Sequence, residues 1–207
     1  MRDWTCVFGE GILAFMRAAF KEWAVIVDAL SRGAQILVLR KGGIQEGRGG
    51  FQVTQPEFWL FPTLFHQQRE SVLAPAQERY DLIAPHFPAA EVLRLRSFAK
   101  MVAWQRLDSL AAAERLRGQH FWQDDVIAKR FEWGKAEIHA LAVRVFNLPA
   151  PIDLPMRTEY GGCKSWVELD SDVSVENAVP ALEDRTFAES LRRFHGAMGS
   201  SVNDFAG

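Results

Sequence analysis

Phe58, Leu60 and Pro62 alternate with Trp59, Phe61 and Thr63. This is a period-two run of strand-favouring residues in which both parities are apolar. Such a strand is expected to be covered on both faces. Pro62 lacks an N–H for a ladder, so the strand is expected to end there. His66, Gln67, Gln68 and Arg69 follow at once and bring donors and acceptors. A rigid apolar strand therefore feeds a polar turn, an arrangement that suits a binding site as well as the start of a solvated helix.

The remaining chain alternates between the two periods. Ile12, Phe15, Met16, Ala19, Phe20, Trp23, Val27 and Leu30 follow three-four spacing and predict an amphipathic helix over 10–32, stopped at Gly33. An alternative ends the helix near Phe20 and makes Trp23–Val27 a strand, because Val25-Ile26-Val27 is β-branched. Residues 35–41 read as a strand. A glycine-rich turn with Arg48 and a return strand at 51–54 complete a hairpin. Residues 64–84 are helical, interrupted at Pro75, and Pro85 and Pro88 bracket a candidate boundary. Residues 91–107 begin as a strand, and 108–117 are helical behind the Asp108-Ser109 cap. Strands follow over 137–148, closed by Pro149 and Pro151, and over 163–169, with a helix near 181–197. These elements predict an α+β fold: a helix packed on an antiparallel sheet, plus a small β-rich unit. The segments are 1–88, 89–170 and an acidic tail at 171–207.

Composition adds limits. The 207 residues are 48% hydrophobic and 24% charged, with formal net charge −2. The molecule as a whole does not attract polyanions. Residues 92–135 hold nine basic and five acidic side chains, whereas 170–207 hold three basic and seven acidic. The middle is thus a candidate polyanion face, or else a set of solvated helix faces of mixed sign. Two cysteines, Cys6 and Cys163, fit a reducing, cytoplasmic setting, and no apolar run reaches membrane-spanning length.

Candidate chemistry is sparse. The glycine-rich hairpin has neither GK[ST] nor GxGxxG. No Glu-x-Lys, the metal-holding motif of restriction-type nucleases, occurs anywhere. Glu137 and His139, with His120, Asp124 and Asp125 upstream, are weak metal candidates, and no metal site or cofactor is expected. Cys163 beside Lys164 is either an activated thiol or a small hydrophobe at a strand start. No catalytic residue is assigned. Cations beside aromatics are the stronger signal, since cations hold phosphates and rings stack on bases. The candidate binding residues are Arg40, Lys41, Trp59, His66, Gln67, Arg130, Trp133, Lys135, Lys164 and Trp166. Most aromatics in such a chain are nonetheless core.

Five blocks carry a resemblance. They are Phe20-Lys21-Glu22-Trp23-Ala24, Leu39-Arg40-Lys41-Gly42-Gly43-Ile44, Phe58–Thr63 with His66-Gln67, Arg130-Phe131-Glu132-Trp133-Gly134, and Gly162–Leu169. Over roughly residues 15–170 the chain resembles the bacterial domain-of-unknown-function 1802 family. That family has no established activity. Some members are similar to proteins fused to a restriction-type nuclease domain, which implies a link to DNA defence. The short strands, glycine-rich hairpin and basic C-terminal unit are also similar to small barrels of the PUA or ASCH type, which bind RNA or modified bases. The reading is an accessory nucleic-acid-binding module for DNA or RNA, with a protein partner or homodimer also open. The alternative is an enzyme with a small-substrate pocket around Lys41, His66 and Lys164.

Overall fold

The computed structural model describes residues 15–41, 55–199 and 203–204. Strands and helices run in the order β1 (Phe15–Trp23), α1 (Ala24–Ser31), β2 (Leu37–Arg40), β3 (Glu57–Thr63), α2 (Ala74–Ile83), β4 (Val92–Leu107), α3 (Leu110–Glu114), α4 (Asp124–Glu132), β5 (Ile138–Pro155), β6 (Trp166–Ser174), β7 (Val179–Pro180), α5 (Asp184–Met198) and β8 (Asn203–Asp204). The fold is α+β. One eight-stranded sheet has the path β2-β5-β4-β3-β1-β6, with β7 on β5 and β8 on β4. Pairing is antiparallel except between β1 and β3. The sheet crosses the Pro85–Pro88 turn: β3 pairs β4, β2 pairs β5 and β1 pairs β6. That turn separates stretches of sequence that share one sheet.

Period two sorts the core into two clusters. Phe20, Phe58 and Leu60 face the helices, while Ala19, Trp59 and Phe61 face Phe98, Phe146, Leu169 and Tyr160. Residues 58–61 are all buried, as a strand with two apolar faces must be. Pro62 does not end β3; it lies within the strand, opposite Glu22 of β1. Pro149 and Pro151 likewise do not close β5. They lie where the β4 register jumps between Ser97↔Asn147 and Leu95↔Ile152. There no ladder N–H is required of them.

The largest correction concerns residues 10–32. Residues 15–23 are a strand and 24–31 a helix, the reverse of the alternative that placed a strand after Phe20. Both faces of β1 are apolar in its middle, at Ala18, Ala19 and Phe20, so a three-four spacing exists without a helix. Ladders to β3 and β6 then decide the backbone. Conversely, Val25-Ile26-Val27 is helical because α1 buries nearly every side: Ala24, Val25, Ile26, Val27, Ala29 and Leu30 are all covered. Pro75 begins α2 instead of interrupting it. Helix α4 was unread in the sequence. The glycine-rich turn, Arg48 and the strand expected at 51–54 lie outside the described residues. Among the described residues no helix is long and apolar enough to cross a membrane.

Candidate nucleic-acid interface

Because β1 and β3 are parallel, their C-terminal ends lie on the same side of the sheet. Antiparallel β6 brings its N-terminal end to that side, pairing Trp166 with Phe20. The end of β2 arrives from the opposite end of the sheet path. Together with the C-terminus of α4, these termini surround a cavity of about 350 Å³. Lys21, Arg40, Lys41, Arg130 and Lys164 all line it, and among the described residues no acidic one does. Trp23, Phe65 and Trp133 supply rings. Phe65 and Trp133 are 58% and 55% exposed, so large rings stand open to solvent at the cavity.

The cations differ in what they are free to do. Lys41 Nζ donates to the carbonyls of Phe131 at 3.1 Å and Glu137 at 3.0 Å, and also to that of Lys135. Its three N–H bonds therefore tether the chain that follows α4. Lys21 Nζ donates to the carbonyls of Tyr160 at 2.8 Å and Gly162 at 2.6 Å, tethering the turn before β6. Burial lowers both lysine pKa values, and Lys164 and Arg40 lower that of Lys21 further. Arg40 donates Nε to Ser165 Oγ at 2.8 Å and lies 5.4 Å from the centre of the Phe20 ring. Arg130 stacks on Trp122, 3.6 Å from the ring centre, and lies 5.2 Å from that of Trp23. Burial lowers its pKa to about 10, so it stays cationic at neutral pH.

Beneath these guanidinium groups lies Glu22, only 2% exposed. Its Oε1 accepts the Trp23 N–H at 2.7 Å. Burial raises its pKa, while the Arg40 and Arg130 charges and the Trp23 bond oppose that rise. Close by, burial pushes the His120 pKa down to about 4, against the pull of Asp124. Its Nδ1 accepts the Trp122 N–H at 3.2 Å.

Of the ten residues singled out in the sequence, Arg40, Lys41, Arg130, Trp133 and Lys164 line this cavity. The others do not. Trp59 is fully buried, and its indole N–H donates to the Met16 carbonyl at 3.1 Å. Trp166 packs edge-on against Phe20 and Phe58. Lys135 is exposed and pairs with Glu137 at 2.9 Å. His66 is exposed at the start of a 3-10 turn, outside the lining. The Gln67 side chain lies outside the described residues. The pocket expected around Lys41, His66 and Lys164 is therefore not assembled: two of the three line the cavity, and the Lys41 ammonium is already committed to carbonyls. Sequence reading missed Lys21 and Trp23, because it placed them in a helix. The motif Phe20–Ala24 carried the signal.

The basic stretch 92–135 is not one polyanion face. Arg94, Lys100, Arg106, Arg117, Lys129 and Lys135 each lie within ion-pair distance of an acid. Among the described residues no group of three or more His, Cys, Asp or Glu is arranged to hold a metal. Cys163 is exposed in the cavity lining, not a buried hydrophobe.

A family model for a domain of unknown function, DUF1802, matches residues 19–193. The chain belongs to the DUF1802 family. The match runs past Asp170 and takes in most of α5, so the acidic segment is largely part of the family's domain. The DUF1802 chain is also similar to crystal structures of ASCH from Zymomonas mobilis. One covers 84% of this chain and 92% of that chain at 14% identity, with TM-score 0.43. A serine-to-alanine mutant of the same protein covers 87% and 98% at 13% identity, with TM-score 0.45. No curated protein matches.

Proposed function

We propose that this DUF1802 protein is an accessory nucleic-acid-binding module. The observation that carries the reading is the cavity itself. Five basic side chains from β1, the end of β2, α4 and the turn before β6 meet there, beside two half-exposed rings and, among the described residues, with no acid in the lining. Cations suit phosphates and open rings suit bases. Net charge is only −2, so attraction comes from this locus and not from the whole molecule. We read the module as binding without cutting, since the chain lacks a Glu-x-Lys motif. A setting in DNA defence is proposed on the family resemblance alone.

Fluorescence anisotropy with labelled single- and double-stranded DNA and RNA tests the reading. Binding is expected at low salt, weakening as salt rises. Lys164→Gln and Arg40→Gln are expected to weaken it, and Arg185→Gln, on exposed α5, to leave it unchanged. No binding of any oligonucleotide at low salt overturns the proposal.

A further inference from the structure

We infer that the cavity accepts one unpaired nucleotide at a time, its base against Phe65 and Trp133 and its phosphate on Arg40 and Lys164. This rests on the nucleic-acid reading above and narrows it to a substrate class.

Lys21 and Lys41 give their ammonium groups to backbone carbonyls. Arg130 lies flat on Trp122. These three set a positive potential and hold the walls. Among the described residues Arg40 makes one side-chain hydrogen bond, from Nε to Ser165, and lies over the Phe20 ring, which leaves its two terminal nitrogens for a ligand. Lys164 stands beside it in the lining, one residue before Ser165. Two adjacent free cations match one phosphate, or two successive ones, and not a long backbone track.

A cavity of about 350 Å³ sits at the small end of the range for ligand sites, roughly 300–1,000 Å³. It has room for one nucleotide-sized unit. Phe65 and Trp133 remain more than half exposed at the cavity, an unfavourable placement for large apolar side chains unless something flat covers them. A base offers its face only when unstacked, so the partner is a single strand, a loop or a free nucleotide.

Displacement of a labelled single-stranded oligonucleotide by nucleoside 5′-monophosphates, unphosphorylated nucleosides and inorganic phosphate tests this. Monophosphates are expected to displace the probe at concentrations where nucleosides and phosphate alone do not. Phe65→Ala and Trp133→Ala are each expected to weaken oligonucleotide binding roughly 5- to 150-fold, the range that stacking of one base supplies. Both residues are exposed, and circular dichroism checks that the variants fold. With one phosphate or two successive ones neutralised, log K against log salt is expected to have a slope of about −0.7 to −1.4 for single strands. Equal affinity for an abasic strand, or for a duplex, overturns the inference while leaving nucleic-acid binding intact. Binding of monophosphates without any oligonucleotide binding does the reverse.

Discussion

Arg40 Nε donates to Ser165 Oγ at 2.8 Å, across 125 residues of sequence. Arg40 ends β2 and Ser165 precedes β6, the strands at the two ends of the sheet path. The sheet therefore curls until its ends meet side chain to side chain, and the cavity lies where they meet. Ser165 is fully buried. Ser165→Ala is expected to destabilise the fold by about 1.5–3 kcal/mol, the range for losing a hydrogen bond to a charged group. It is also expected to weaken oligonucleotide binding, because Arg40 loses its fixed direction. Urea denaturation and anisotropy on the same variant check both. Unchanged stability and unchanged affinity together mean that this contact does not organise the cavity.

Arg130 is held by its flat face on Trp122. Arg130→Lys keeps the charge and loses the plane. A loss of about 1–2 kcal/mol is expected, as for a desolvated cation on an indole. The readout is the urea midpoint together with tryptophan emission, since Trp122 loses its neighbour.

His120 titrates far below its ordinary value, at about 4 instead of 6.5, because it is buried. In the unfolded chain it takes up a proton near 6.5, and in the folded protein only near 4. The folded state therefore loses stability as pH falls through that window, by roughly 3 kcal/mol in total. His120→Gln is expected to flatten the slope. A His120 imidazole proton resonance, identified by its loss in His120→Gln, that titrates near 6.5 in the folded protein contradicts the assignment.

Glu22 shifts the opposite way. Burial raises its pKa above the ordinary 4.5, against Arg40 and Arg130. The unfolded chain ionises first as pH rises, so the wild type loses stability from about that pH upward, through the raised pKa. Glu22→Gln escapes this loss. Its stability relative to wild type is expected to rise from acid to neutral pH, measured by urea midpoints on both proteins. A constant difference across the range removes the claim of a raised pKa.

Gly33 follows α1 with φ +67°, and a Cβ there would meet Leu182 Cγ and Cδ2 at 2.5 Å. Gly33→Ala is expected to cost at least about 1–2 kcal/mol from the left-handed backbone alone, before any clash. A melting temperature equal to wild type contradicts this.

Some of this was legible in the residues themselves. Alternation over 58–61 determined a strand with two covered faces, since period two places successive side chains on opposite sides whatever the partner. Gly33 as a helix stop and Ser109 as a cap were equally local, because each depends on one residue's backbone freedom or one hydroxyl; Ser109 Oγ indeed accepts the Ala112 N–H at 3.3 Å. The basic and aromatic blocks were visible too, and they carried the family resemblance. Tertiary structure decided the rest. Residues 15–23 became a strand only because β3 and β6 flank them, and that turned Lys21 and Trp23 towards the cavity. Lys41 became a tether because carbonyls more than ninety residues away reached it. Which lysines bond backbone carbonyls was settled by pairing between distant strands, and hydrophobic periodicity holds no information about partners that far apart.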